Sequence, residues 1–407
     1  MRTVDNHNRR SFVKIAALAL AGFSMAFTAC NSSGSEQAET DAVVSETETE
    51  SESTSMVYIG TYAVADAPGI FLYRLNPGTG ELTKVNSFGG GENPSYLALD
   101  SAGRHLYAVN ETQEYEGQPG GAVSAFTVNQ QNGELSLLNR VASKGGAPCY
   151  VAVDENTVLV ANYVGGNVAS FPVKDNGQLG EAASVLQHAG TGPNQQRQEA
   201  PHAHYIAPDP SGKFVYSVDL GADKVFGYRL EGSTLIPNEP AVAYASEAGS
   251  GPRHLAFHPN GKYAYLLHEL NSTMTALAYN ADSGAFTEIQ TLPTLPEDFT
   301  GNNQPAAVKV SADGKYVYGS NRGHNSIVVY SVDENTGKLA LVQHVSTGGD
   351  WPRDFAIDPS GSVLLVANER SNSITTFKID KTTGKLTATG QEVEVSKPVN
   401  LVFRQEK

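Results

Sequence analysis

The chain has 407 residues, with 43 acidic against 28 basic side chains, a formal charge of −15, 40 glycines and 20 prolines. Glycine and proline at this level, without a collagen period, suit a soluble protein of many turns and short strands. The charge argues against nucleic acid as a partner, because a polyphosphate surface needs clustered Lys and Arg. A small anionic substrate fits, since a few local arginines outweigh the mean charge at one spot. Two cysteines cannot form a disulfide framework.

At the N-terminus, Asn8-Arg9-Arg10-Ser11-Phe12-Val13-Lys14 precedes an apolar run, residues 15–27, that ends at Thr28-Ala29-Cys30. Two arginines, a short hydrophobic stretch and small residues make a secretory signal, too short to span a bilayer comfortably. Arg-Arg-Ser-Phe-Val-Lys resembles the twin-arginine export signal. Phe-Thr-Ala-Cys resembles a bacterial lipoprotein box, with Phe27 where leucine is more usual, and makes Cys30 the expected acylated residue. Residues 31–55 carry Ser, Thr, Glu and Asp with no basic or aromatic residue. Such a segment buries too little apolar surface to offset its chain entropy, so a disordered tether is expected. The folded part, 56–407, is then exported and lipid-anchored to a bacterial membrane, facing the periplasm or cell surface. Cys149 is left as a lone thiol.

From Met56 onward the chain repeats itself. Each unit opens with a proline and a short apolar strand, turns at an Asp/His-Pro-Ser/Asn-Gly type of sequence, and continues into alternating strands. The opening prolines are Pro94, Pro148, Pro201, Pro252, Pro305, Pro352 and Pro398, spaced at the ~50 residues expected of a propeller blade. Ser326-Ile327-Val328-Val329-Tyr330 exemplifies a third strand, and Gly337-Lys338-Leu339 begins a fourth. Four alternating strands per unit, repeated radially, predict an all-β, seven-bladed β-propeller. The first unit, Val57-Tyr58-Ile59-Gly60-Thr61-Tyr62 onward, lacks its first strand. Lys397-Pro398-Val399-Asn400-Leu401-Val402-Phe403 supplies one, so pairing of the N- and C-terminal strands is expected to close the ring and remove an exposed edge.

In a propeller the start of strand one and the end of strand two of each blade lie on one face. Counting outward from the turn glycine, Ser95, His204, Arg253, Ala306 and Arg353 precede it at the same spacing at which Glu111, Leu220, Glu269, Arg322 and Glu369 follow it. These positions are expected to be cross-strand neighbours and, across blades, to ring one mouth of the channel. Arg253–Glu269 and Arg353–Glu369 share one spacing, so both read as ion pairs. The second reads as architecture fixing the register, the first as part of a site flanked by His204 and Arg322.

Those residue types define the chemistry. A glutamate or histidine acts as general base on water. Arginines stabilise an oxyanion and grip a carboxylate or phosphate, and a histidine protonates a leaving alkoxide. No recognisable serine or cysteine nucleophile motif is present. His202 and His204 are expected to share one strand face, but no carboxylate-rich or HExxH-type grouping accompanies them, so neither a metal nor another cofactor is expected. The loop 190–200 (GTGPNQQRQEA) is longer than its equivalents and could close Gln195, Gln196 and Arg197 over a ligand.

Taken together, Tyr58-Ile59-Gly60-Thr61-Tyr62, Gly192-Pro193-Asn194 with Pro201-His202-Ala203-His204, Asp219-Leu220-Gly221-Ala222-Asp223, Gly251-Pro252-Arg253-His254, His268-Glu269-Leu270-Asn271-Ser272, Ser320-Asn321-Arg322-Gly323-His324 and Trp351-Pro352-Arg353-Asp354-Phe355 resemble the propeller lactonases of the bacterial 6-phosphogluconolactonase type, relatives of the fungal carboxymuconate cyclases. The resemblance spans about 57–403. It implies metal-free hydrolysis of a sugar-acid δ-lactone by a His, Arg, Glu, Arg group, here His204 (or His202), Arg253, Glu269 and Arg322. His202, His254, Arg197 and Arg353 are assigned to substrate binding. A phosphorylated sugar is normally a cytoplasmic metabolite, so an exported chain points instead to an unphosphorylated or otherwise anionic lactone. Two other readings stand beside it: a cycloisomerase forming a lactone from a muconate-like diacid, and a non-catalytic, membrane-tethered propeller binding a ligand or partner. A monomer is expected.

Overall fold

The computed structural model describes residues 54–404. The expected export signal, Cys30 and the tether up to residue 53 lie outside the described residues. Strand structure begins at Ser55, and the described part contains seven four-stranded antiparallel sheets and one small two-stranded hairpin.

The sheets follow the repeat. Blade 1 combines the segment 55–89 with the C-terminal strand Pro398–Phe403. Blades 2 to 7 span 94–142, 148–187, 203–245, 252–293, 304–346 and 352–394. Closure is as expected: Val57 pairs with Phe403, Tyr58 with Val402 and Ile59 with Leu401. The first strand of blade 4 starts at Ala203, after Pro201 and His202. His202 therefore lies outside the strand that carries His204.

The alternation in each strand sends side chains to both faces of its sheet, so both faces must be covered. They are covered by the neighbouring blades. Seven apolar clusters each span two adjacent blades, for example Tyr58, Leu72, Leu97 and Phe126 between blades 1 and 2, and Val57, Ile59, Leu365 and Ile374 across the closure between blades 7 and 1. Burial of such side chains contributes about 1.5–3 kcal/mol each. A second device pins blade to blade. A buried tyrosine on the second strand, or its equivalent, donates its hydroxyl to the carbonyl of a turn glycine in the next blade: Tyr58 to Gly133 at 2.6 Å, Tyr107 to Gly177 at 3.1 Å, Tyr216 to Gly284 at 2.8 Å and Tyr318 to Gly384 at 3.1 Å. The aromatic ring fills the interblade space while its polar tip finds a partner.

The inner end of each blade is not an ideal hairpin, and this is what builds the site. The linker residue ahead of the opening proline takes a positive φ at Asn93, Ala147, Gly251, Trp351 and Lys397. Its carbonyl accepts the N–H of the residue just after strand two: Asn93 from Glu111, Ala147 from Tyr163, Gly251 from Glu269, Trp351 from Glu369 and Lys397 from Tyr62. The ladder then slips between Pro94 and Tyr96, Pro148 and Tyr150, Ala203 and Tyr205, Pro252 and His254, and Pro352 and Asp354. Ser95, Cys149, His204, Arg253 and Arg353 are the residues left unpaired by these bulges, a geometry that re-aims a side chain.

Candidate active site

Bulge residues and strand-two ends together surround a cavity of about 370 Å³ lined by Tyr62, Glu111, Cys149, Tyr163, Arg197, His204, Glu269, Gln304, Arg322, Trp351, Arg353 and Glu369. A smaller apolar-lined groove of about 170 Å³ in blades 6 and 7 has no comparable convergence of ionisable groups. The next residues along the chain, Tyr96, Tyr150, Tyr205 and His254, pack against one another, with ring centroids 4.1 Å apart for Tyr96–Tyr150 and 4.7 Å for Tyr150–Tyr205. This aromatic layer adjoins the site through His254, whose ring centroid is 5.4 Å from that of His204.

Glu269 is the hub of one side. Its Oε1 accepts from Arg197 Nη2 at 2.5 Å and its Oε2 from Arg322 Nη2 at 2.7 Å. Arg253 Nε lies 3.1 Å from Oε2, an ion pair whose angle is too bent for a hydrogen bond. The side chains of Glu269, Arg253 and Arg322 are almost wholly buried. Burial alone raises the Glu269 carboxyl, but Arg322, Arg253 and Arg197 more than offset it and hold the group well below the ordinary carboxylate range. Burial pulls the Arg322 guanidinium down to about 9 against the opposing charge of Glu269, so it remains cationic at neutral pH. Arg253 also donates Nη1 to the Ala306 carbonyl and sits 3.1 Å from His254 Nε2.

His204 stands beside this group. Burial, then the charge of Arg253, lowers its pKa well below the usual histidine value. It is therefore uncharged at neutral pH. Its Nδ1 is 3.6 Å from Cys149 Sγ, while Nε2 has no protein partner among the described residues. Burial pushes the Cys149 thiol far up, so it stays protonated and is no nucleophile.

The remaining sequence candidates are placed as follows. Arg197 reaches in from the 190–200 loop to Glu269, whereas Gln195 and Gln196 are exposed. Arg353 lines the cavity, but the expected Arg353–Glu369 pair does not form. Arg353 instead approaches Glu111 Oε1 at 3.9 Å and lies 5.3 Å over the Tyr62 ring. The bulge frees Arg353 from its own ladder as it frees Arg253, and Glu111 and Tyr62 of the neighbouring blades give Arg353 a different partner. His202 does not line the cavity. It stacks on Tyr163 at 4.5 Å and directs Nε2 to Glu199, because the ladder slip separates it from the face that His204 occupies. His254 does not line the cavity either; it packs among Tyr96, Tyr150 and Tyr205, beside the Arg253 guanidinium. Among the described residues no cluster of His, Cys, Asp and Glu suited to a metal ion occurs.

Tyr62, Tyr163, Cys149, Gln304 and Trp351 are cavity residues that the glycine count missed. Blade 3 has no glycine in its first turn, and in blade 1 strands one and two come from opposite chain ends. Counting from the opening prolines finds Cys149, which follows Pro148 as Arg253 follows Pro252.

A family model described as "Lactonase, 7-bladed beta-propeller" matches residues 56–403. The chain belongs to this seven-bladed propeller lactonase family. It is 40% identical over 292 residues to a 6-phosphogluconolactonase of Bacillus subtilis, covering 71% of this chain and 81% of that protein. Among solved structures, a putative 6-phosphogluconolactonase of Bacteroides fragilis is similar with a TM-score of 0.82 and 34% identity, covering 88% of this chain and 99% of the other. The periplasmic gluconolactonase of Pseudomonas aeruginosa is similar with a TM-score of 0.81 and 32% identity, covering 86% and 99%.

Proposed function

We propose that the protein hydrolyses a sugar-acid δ-lactone, with His204 as the base that activates water. The observation that carries this reading is an uncharged histidine with a free Nε2 beside the Arg253–Glu269–Arg322 group in one cavity. Glu269 is a poor base because both its oxygens are engaged by guanidiniums. Its role is to hold three arginines in place without repulsion.

In this mechanism His204 Nε2 takes a proton from water as the water oxygen bonds to the lactone carbonyl carbon. Charge develops on the carbonyl oxygen, where Arg322, with Arg253 behind it, stabilises it. The tetrahedral species collapses with cleavage of the bond from carbonyl carbon to ring oxygen. The proton held on His204 passes to the leaving ring oxygen, and the hydroxy acid then ionises to its carboxylate. Nothing in these steps needs a metal or a second substrate.

The test is acid release by the full-length chain from glucono-δ-lactone and its 6-phosphate, measured against the spontaneous rate. His204→Gln is expected to lower kcat by about 100-fold or more. No acceleration with either lactone, or an unaffected His204→Gln, overturns the proposal. The exported, lipid-anchored location is part of the same reading and is supported by the Arg9-Arg10 signal and Cys30. It predicts that Cys30→Ser moves the protein out of the membrane fraction. Retention of that variant in the membrane fraction would refute the anchor.

A further inference from the structure

The far side of the cavity is built differently. Blades 7, 1 and 2 contribute Glu369, Arg353, Tyr62 and Glu111, so two carboxylates face one guanidinium there. Glu111 is held from within the protein: Ser95 Oγ donates to Oε2 at 2.6 Å, and the Tyr62 hydroxyl lies 3.0 Å from each oxygen. Arg353 leans on Glu111 and Tyr62. Glu369 has no such support. Its Oε2 is shut off from solvent without a hydrogen-bond partner, and among the described residues it forms no ion pair.

A buried acceptor left without a donor costs free energy unless a ligand or water supplies one. An ionised carboxylate only accepts, so the ligand groups complementary to Glu369 are donors. The cavity's other side offers the reverse, guanidinium donors for a carbonyl or oxyanion. A polyhydroxy lactone is donor-rich along its carbon chain and acceptor-rich at its carbonyl, which matches the two sides in one orientation. A terminal phosphate brings acceptors and negative charge to a wall of two carboxylates.

We propose that Glu369, with Glu111 beside it, is a subsite that accepts hydrogen bonds from the hydroxyl chain of the lactone and makes an unphosphorylated polyhydroxy lactone the preferred substrate. This rests on the lactone-hydrolysis reading. Trp351 gives the subsite a reporter. It is the chain's single tryptophan, lines the same cavity, and lies between Arg322 at 5.4 Å and Arg370 at 3.3 Å from its ring.

The experiment compares full-length wild type with Glu369→Gln and Glu369→Asp on glucono-δ-lactone and its 6-phosphate, with thermal melting as the check on folding. In Glu369→Gln the KM for glucono-δ-lactone is expected to rise about tenfold, the size of a charged hydrogen bond, while kcat changes less than about threefold. The KM for the 6-phosphate is expected to stay the same or fall. Glu369→Asp, which keeps the charge, should recover part of the KM. An unchanged KM for glucono-δ-lactone, or an equal rise for both lactones, overturns the subsite. Titration of Trp351 fluorescence with gluconate separates this idea from the hydrolysis reading. Were wild type to hydrolyse neither lactone yet bind gluconate more tightly than Glu369→Gln does, hydrolysis would fall and the subsite would stand. If Glu369→Gln binds gluconate as tightly as wild type does, the subsite falls.

Discussion

The two sides of the cavity bury carboxylates by opposite means. On the side of blades 5 and 6, Glu269 is enclosed by Arg197, Arg253 and Arg322. Burial and neighbouring charge act against each other there, and charge wins. On the side of blades 7, 1 and 2, Glu111 is satisfied by two hydroxyls, and Glu369 is left with an unpaired oxygen. Removing a partner from a closed ion network leaves buried charges uncompensated, whereas neutralising an unpaired acceptor leaves nothing stranded. A fully satisfied carboxylate therefore organises its neighbours, and an unsatisfied one is available to a ligand.

The same substitution on each side tests this contrast most strongly. Glu269→Gln strands three guanidiniums and is expected to cost about 3–5 kcal/mol of unfolding free energy. Glu369→Gln is expected to change it by less than about 0.5 kcal/mol in either direction. Denaturant unfolding of the two variants measures both, and equal losses would erase the distinction. Next in size is Arg322→Lys, which keeps the charge but loses the two-pronged donor geometry. It is expected to lower kcat/KM by about 100-fold, with activity as the readout and a change below about threefold counting against an oxyanion role.

The smallest effect is on pH. Burial lowers the pKa of His204 and His254 well below the usual value and that of His268 to about 4. Below about pH 6.5 the unfolded chain takes up protons on these histidines and the folded chain does not. Their contribution to stability is thus fully present above that pH and is lost as pH falls toward the folded values. About 1.4 kcal/mol per histidine per pH unit is expected at most. A melting temperature that rises between pH 7 and pH 5 would contradict the buried, uncharged state of these histidines.

Much of this was legible in the sequence because it depends on periodicity and turn chemistry. Proline-opened units, alternating strands and turn glycines specify the blades. The incomplete unit at Val57 and the orphan strand at Pro398 specify how they close, since an unpaired edge is costly. Equal spacing about the turn glycine also brought Arg253 and Glu269 together, with Arg322 beside them. The spacing misled at Arg353 and Glu369, where an identical pattern has a different outcome. It also misled at His202, which looked equivalent to His204 but stands outside the strand.

What the sequence by itself determined, then, is the number of blades, their closure and the identity of the ionisable ring. Local backbone preferences and the apolar pattern dictate these, and both are written residue by residue. Only the tertiary structure decided which ring members meet. The ladder slip after the opening proline releases one side chain from its ladder, free to meet a partner in its own blade, as Ser95 and Arg253 do, or in a neighbour's, as Arg353 does. Whether Arg253 finds Glu269, or Arg353 turns to Glu111 and leaves Glu369 unpaired, depends on the packing of adjacent blades around the axis. No count along one strand contains that information.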